Sequence, residues 1–296
     1  MSGALPATAL SGMDYCKTCV ETIGCSYDRV ECSGMAPGVG ELIVEEPLLI
    51  TVAGKSLATL MCTPGDEISL ALGYLLTEGM IGSVSDVGAV VLCREESGNV
   101  VRVTPCGGCD LLSRLDGHRT VFSSCGICGR EAIRSVLSSL RSFTKQKGRL
   151  SPEAIFELGE FMNVEQQYFR RTGGTHAAVL AQIERGKIVA GSAIIKEDIG
   201  RHNALDKAIG EALRRGALFE ESFLFLSGRV SFEMVAKAAR AGISDLAAVS
   251  APTSLAVELA KQLGMFLVGF ARGKSAVVYA GKDALPTDVM YGQSPQ

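Results

Sequence analysis

SFLFLSGRVSFEMVAKAARAGISDLAAVSAPTSLAVELAKQLGMFLVGF (222–270) is the stretch that decides the fold class. Its runs SFLFLSG, LAAVS and MFLVGF are short and dense in Phe, Leu, Val and Ala. Between them lie FEMVAKAARAG and SLAVELAKQLG, whose apolar residues recur at helical spacing. Strands with no polar side, interleaved with helices, predict a largely parallel sheet covered on both faces.

Working outward, ALDKAIGEALRR (204–215) adds a helix before this block and AVVYA (276–280) a strand after it. Upstream, AAVLAQIE, the turn RGK and IVAGSAIIK (177–196) read as a hairpin. SPEAIFELGEFMN (151–163) reads as a helix with Ser151 at its start, and EAIRSVLSSLRSF (131–143) as another. In the first half, ELIVEEPLLITVAG (41–54) and LATLMCT (57–63) are strand-like around the turn AGKS. TPGDEISLALGYLLTEGMI (63–81) is a helix that Gly79 ends, and short strands follow near 88–93 and 100–103.

The division expected is a mobile, cysteine-containing tail over 1–40 and an α+β domain over 41–130 that carries a Cys-rich loop. An α/β domain over 131–285 and a short tail over 286–296 complete it. The tail reading rests on its Gly- and Ser-rich composition and its lack of apolar periodicity.

The alternation has a geometric consequence. EDIGRHN (197–203), SGRVS (227–231), SAPTS (250–254) and ARGKS (271–275) follow successive strands, so they gather at the carboxyl ends of the sheet, where ligands bind. Three of the four carry arginine, and two run directly into a helix, whose free N–H groups favour an anion. A phosphorylated ligand is the reading these loops support. GFARGKS (269–275) is one residue short of the P-loop pattern and precedes a strand where that motif requires a helix, which excludes a nucleoside-triphosphatase. RTGGTHAAV (171–179) sets Thr172, Thr175 and His176 around two glycines. His176 and His202 both border Gly-rich loops, whereas His118 reads as a surface residue.

The chain has 296 residues, ten of them cysteine, a formal net charge of −3 and 47% hydrophobic residues. The charge excludes generic nucleic-acid binding. No apolar run is long enough to span a bilayer, and MSGALPATAL lacks the form of an export signal, so the expected compartment is the cytoplasm. There, clustered thiols point to metal or chemistry more than to structural disulfides.

Cys106, Cys109, Cys125 and Cys128 form C-x2-C-x15-C-x2-C, within the range of a zinc ribbon. The second pair, in SSCGICGR (123–130), could equally accept a sulfane sulfur as a persulfide. A neighbouring thiol could then resolve it, with flanking glycines leaving the loop supple and Arg130 lowering the thiol pKa. Pro105–Cys109 matches half of the zinc-deaminase signature, but no H-x-E exists in the chain, which excludes deamination. Cys16, Cys19, Cys25 and Cys32 have a looser spacing that could also take metal.

Several blocks together resemble the FdhD/NarQ family, the sulfur-carrier accessory proteins of formate dehydrogenase. They are TPGDEISLALGYLLTEGMI, SSCGICG, RTGGTHAA, KEDIGRHNALDKAIG, SGRVSFEMVAKAARAG, AAVSAPTSLAVELA and LVGFARGKSAVVY, in one order over roughly residues 41–281. The resemblance implies that Cys125 carries a persulfide received from a cysteine desulfurase, with Cys128 as the second cysteine. It implies transfer to a molybdenum or tungsten bis(molybdopterin guanine dinucleotide) cofactor, bound as substrate for delivery to formate dehydrogenase. The family's cofactor-binding stretch maps onto Phe270, Ala271, Arg272, Gly273, Lys274 and Ser275. Arg201, His202 and Arg229 are further candidates for gripping phosphate or guanine. The resemblance also implies a homodimer, and a C-terminal three-layer α/β/α domain with the cytidine-deaminase fold but not its active site. No residue is assigned to a resident metal. The CGGC pair and the tail cysteines depart from the family's motif and leave structural zinc open, and with it the alternative of a zinc-stabilised cofactor chaperone.

Overall fold

The computed structural model describes residues 20–32, 34–95, 98–107, 136–144 and 148–286. Cys16, Cys19, Cys109, Cys125 and Cys128, and the expected boundary at 130/131, lie outside the described residues.

Residues 20–40 are not a featureless tail. β1 (Thr22–Glu31) and β2 (Gly34–Ile43) pair antiparallel along their whole length. The glycines that suggested disorder make room instead for an aromatic ring. A Cβ on Gly38 would lie 2.5 Å from the Tyr27 ring and one on Gly40 3.0 Å from it, so the ring lies over bare backbone.

β3 (Glu46–Val52), β4 (Lys55–Cys62), β5 (Val87–Glu95) and β6 (Gly98–Pro105) form a four-stranded sheet in the order β4-β3-β6-β5, with β3 and β6 parallel. The β3–β4 turn puts both Ala53 and Gly54 at positive φ, as a tight hairpin of right-twisted strands requires. Between β4 and β5 lies α1 (Glu67–Thr77), after which Gly79 turns left-handed at φ 75°.

The second half builds a seven-stranded sheet. Its strands are β7 (His176–Glu184), β8 (Lys187–Ile188), β9 (Ile194–Asp198), β10 (Ser222–Leu226), β11 (Asp245–Ala248), β12 (Phe266–Arg272) and β13 (Ser275–Ala280). The order is β13-β12-β11-β10-β7-β8, with β9 also on β7. The only parallel pairings in this sheet are β10 with β11 and β11 with β12. β7 lies antiparallel to β10, β8 and β9, and β13 antiparallel to β12. The largely parallel sheet expected is thus mixed, because the short connections that make β7–β8–β9 and β12–β13 are too brief for a crossover.

Both faces are covered, as the unbroken apolar strands demanded. Leu224 and Leu226 point to one side with α4 (Arg201–Arg214), α5 (Phe232–Ala241) and α6 (Ser254–Leu263). Phe223 and Phe225 point to the other with α2 (Pro152–Glu165). Ser151 caps α2 by accepting from the Ala154 N–H at 3.3 Å. The short α3 (Gln167–Thr172) follows α2 and ends at left-handed Gly173.

The two sheets share one buried cluster, running from Leu48 and Val101 through α1 and α4 to Leu267. Glycine makes this possible. A Cβ on Gly73 of α1 would lie 1.8 Å from the Asp206 carbonyl oxygen, and one on Gly210 of α4 1.8 Å from that of Ser69. The helices therefore meet backbone to backbone. Lys237 of α5 seals their end, donating to Asp206 at 2.7 Å and to Thr77 at 2.9 Å.

Candidate functional site

β9 is antiparallel to β7, and β7 to β10, so β9 runs in the same direction as β10, β11 and β12. Their carboxyl ends share one edge, and the amino end of β7 joins them there. The four loops singled out in the sequence do assemble, and backbone bonds stitch three of them to one another and to the start of β7. Ser227 N donates to the Ala177 carbonyl at 3.0 Å, Val230 N to Ala251 at 3.2 Å and Phe270 N to Ser250 at 3.2 Å. The Arg272 Nε donates to the Val249 carbonyl at 3.0 Å.

Three of these loops, not two, run into a helix. α6 is capped by Thr253, which accepts from Ala256 N at 3.3 Å. The N-cap of α4 is Gly200, with no side chain to offer, and Ser231, the N-cap of α5, makes no capping bond. Both helix starts therefore keep unsatisfied N–H groups directed at the edge.

His176, Arg201, His202 and Arg229 converge at this edge. Burial, and then the positive charge of Arg201, hold the His176 imidazole below its ordinary pKa, so it is neutral near pH 7. Its Nδ1 lies 3.5 Å from Ser227 Oγ. Gly228 permits the crowding: a Cβ there would lie 3.2 Å from that same nitrogen and 3.6 Å from the Arg201 Cβ. His202 Nε2 is 3.0 Å from the Glu233 carboxylate, close enough to pair with it though not aligned as a hydrogen bond, and this contact holds the Glu233 pKa down. Arg201 Nε and Ser231 Oγ are buried and have no protein partner among the described residues. Buried polar atoms of this kind normally find one, so the edge is equipped for a polar, anionic ligand.

Sequence reasoning missed the carboxylate that places His176. Glu197, at the end of β9, accepts from Tyr168 N at 2.9 Å, Phe169 N at 2.8 Å and Thr175 Oγ1 at 2.7 Å. It thereby fixes the start of α3 and the turn before β7. Thr172 donates to the Tyr168 carbonyl and accepts from Gly174 N, so both threonines of RTGGTHAAV serve the turn and only His176 faces the site. A signal for Glu197 did exist: an acid pair closing an apolar strand needs partners.

The 270–275 stretch is a hairpin tip. Gly269 approaches Pro252 so closely that a Cβ would lie 2.8 Å from its Cδ. Phe270 then adopts a left-handed φ of 52°, rare for a residue with a side chain, and remains 45% exposed. Gly273 turns the chain at φ 56°, and Arg272, Lys274 and Ser275 are exposed. Ala271 is the exception among these candidates. It is buried in the core on the α2 face, so it can offer a ligand nothing beyond its backbone.

The carrier candidates Cys125 and Cys128 lie outside the described residues. At the end of β6, Cys106 is exposed and its N–H donates to the Asp86 carbonyl at 2.9 Å. Cys62, by contrast, is buried, which pushes its thiol up to about 12 and leaves it inert. Among the described residues no three His, Cys, Asp or Glu side chains are grouped to hold a metal, and no helix is long and apolar enough to cross a membrane.

Comparison with known proteins agrees with this architecture. The crystal structure of a protein classed as a formate dehydrogenase accessory protein, from Desulfotalea psychrophila, superposes with a TM-score of 0.68. It does so at 21% identity over 88% of this chain and 97% of that one, which supports the fold. The sulfur carrier protein FdhD of Streptomyces avermitilis is 44% identical over 265 residues, covering 86% of this chain and 92% of its own. The sulfur carrier protein FdhD of Anaeromyxobacter dehalogenans is 44% identical over 260 residues, covering 82% and 88%. The model of the FdhD/NarQ family matches residues 43–286, from the last residue of β2 to beyond β13. With its motifs, its architecture and its relatives in agreement over most of the sequence, this chain belongs to the FdhD/NarQ family.

Proposed function

We propose that the chain is a sulfur carrier serving formate dehydrogenase. A cysteine desulfurase hands the outer sulfur of its persulfide to the Cys125 thiolate and leaves as a thiolate. Attack by Cys128 on the inner sulfur then releases hydrosulfide and leaves a Cys125–Cys128 disulfide for reduction by cellular thiols. The released sulfur becomes the terminal ligand of a molybdenum or tungsten bis(molybdopterin guanine dinucleotide) bound as substrate. Homodimeric assembly in the cytoplasm belongs to the same reading.

The observation that carries it is the convergence of His176, Arg201, His202 and Arg229 on two helix starts without side-chain caps. A dinucleotide presents diphosphates, and guanidinium groups with free N–H groups are suited to grip them. The exposed Phe270 ring offers a face on which a base can stack. Neutral His176 can serve as hydrogen-bond acceptor or donor without adding a further charge.

Native mass spectrometry after incubation with a cysteine desulfurase and cysteine tests the carrier step. One added sulfur that reductant removes, absent from Cys125→Ala, is the expected result. Bound zinc protecting Cys125, with no added sulfur, would replace the carrier by a zinc-stabilised chaperone that only escorts the nucleotide.

A further inference from the structure

The loop that presents Arg201 and His202 is held from below by a buried ion pair. Asp198 and Lys207 are 0% and 1% exposed, and Lys207 Nζ lies 2.8 Å from Asp198 Oδ2. The same carboxylate accepts from Thr63 N at 3.0 Å, Gly200 N at 2.9 Å and Asn203 Nδ2 at 2.9 Å. Lys207 in turn donates to the Thr63 carbonyl at 2.7 Å and to that of Glu197 at 3.3 Å. Ile199 N reaches Thr63 Oγ1 at 3.3 Å, and Asn203 Nδ2 reaches the Met61 carbonyl at 2.8 Å.

These bonds share one geometry. Every one of them ties residues 197–207, around the site loop, either to each other or to residues 61–63 at the end of β4. Only Ile199 and Gly200 separate Asp198 from Arg201, and both of their N–H groups are bonded. The Arg201 backbone therefore has little freedom to move relative to the first sheet. A buried ion pair is a weak source of net stability, because stripping water from both charges offsets most of their attraction. What this one supplies is direction: two charges with fully assigned partners define a single arrangement of the loop.

We infer that Asp198 and Lys207 are a positioning pair. They clamp residues 199–203 against the end of β4 so that Arg201 and His202 face the ligand edge. The inference rests on the nucleotide reading of that edge proposed above. Neither residue touches the ligand, so their effect passes through Arg201 and His202. The pair also makes the end of β4, in the first sheet, a fixed part of the nucleotide site.

The test uses the full-length chain with Asp198→Asn, with Asp198→Asn combined with Lys207→Met, and with Thr63→Val. Asn keeps one acceptor but turns an NH2 group toward Thr63 N or Gly200 N. The double variant also removes the ammonium that would otherwise be stranded, so it keeps the test open if the single variant does not fold. Thr63→Val deletes only the acceptor for Ile199 N. Three quantities are read: the unfolding midpoint, amide hydrogen exchange over 199–203, and the affinity for GDP by calorimetry.

The double variant is expected to unfold cooperatively within a few degrees of wild type. Its exchange at 199–203 should be at least about tenfold faster and its GDP affinity at least about tenfold weaker, with β10–β12 amides unchanged. Thr63→Val should move both in the same direction by about threefold. Wild-type exchange at 199–203 together with wild-type GDP affinity in the folded double variant would overturn the inference. If wild-type protein fails to bind GDP, the nucleotide reading itself falls. Exchange at 199–203 then decides the clamp alone, and an unchanged rate overturns it.

Discussion

The His202 imidazole lies 3.0 Å from the Glu233 carboxylate, joining the first turn of α4 to the first turn of α5 across the mouth of the ligand edge. Both helices begin there without a side-chain cap, so this contact sets the spacing of two anion-attracting ends.

The contact has a pH signature. The His202 contact, with help from the charges of Lys237 and Arg201, holds the Glu233 carboxyl below the ordinary glutamate range. A depressed carboxyl stabilises the fold above its unfolded pKa, and that contribution disappears as pH falls through the folded one. Glu233→Gln should therefore lower stability at pH 7, by no more than about 1 kcal/mol because the group is partly exposed. Denaturant unfolding at pH 7 and at pH 3 checks this, and a deficit that persists at pH 3 would refute it.

Asp245 has the opposite sign. Burial raises its pKa to about 6, although Arg149 at 3.1 Å works against the shift. The folded state then binds a proton that the unfolded state has already released, so stability declines as pH rises from about 4 to about 6. The decline amounts to at most about 3 kcal/mol. Asp245→Asn should remove this limb of the stability–pH profile, and an unaltered profile would rule it out.

The α1–α4 contact should tolerate no methyl group. Gly73→Ala or Gly210→Ala places a Cβ 1.8 Å from a backbone oxygen of the facing helix, so the helices must separate. Each should cost about 3 kcal/mol or more by urea unfolding. Gly24→Ala on the ribbon, where nothing lies within 4 Å, should stay within about 0.5 kcal/mol.

Phe270 should separate stability from binding. Its left-handed φ of 52° is costly for any residue with a Cβ. Phe270→Gly should therefore leave stability unchanged or raise it by about 1 kcal/mol, while weakening GDP binding about tenfold through loss of the ring. Loss of stability with intact binding would show that the ring serves packing instead.

Arg229 is exposed at the edge and makes no structural contact that its loss would break among those described. Arg229→Ala should weaken GDP binding by about tenfold without moving the unfolding midpoint, and the loss should shrink at high salt. A salt-independent loss would argue against a phosphate contact.

From residue 176 onward the sequence by itself determined which segments are strands and which are helices, because an apolar run with no polar side must be buried on both faces whatever surrounds it; the helix expected over 131–143, by contrast, does not extend through 140–144. It also determined the strand-end loops, since SGRVS and EDIGRHN must follow the strands they close. Strand direction was decided only in three dimensions. Nothing in AVVYA distinguishes a hairpin partner from a crossover, and β13 turned back on β12 through Gly273. The ribbon at 22–43 was illegible for a similar reason, since Gly38 and Gly40 read as disorder until Tyr27 is seen lying on them. Glu197, Asp198 and Lys207 likewise look like ordinary charges along the chain. Their roles depend on Thr175, Tyr168 and Thr63, the last of them more than 130 residues away from Asp198. Periodicity records which face of an element is buried. Only the folded chain brings distant donors and acceptors within hydrogen-bond reach, and that reach is what builds the site.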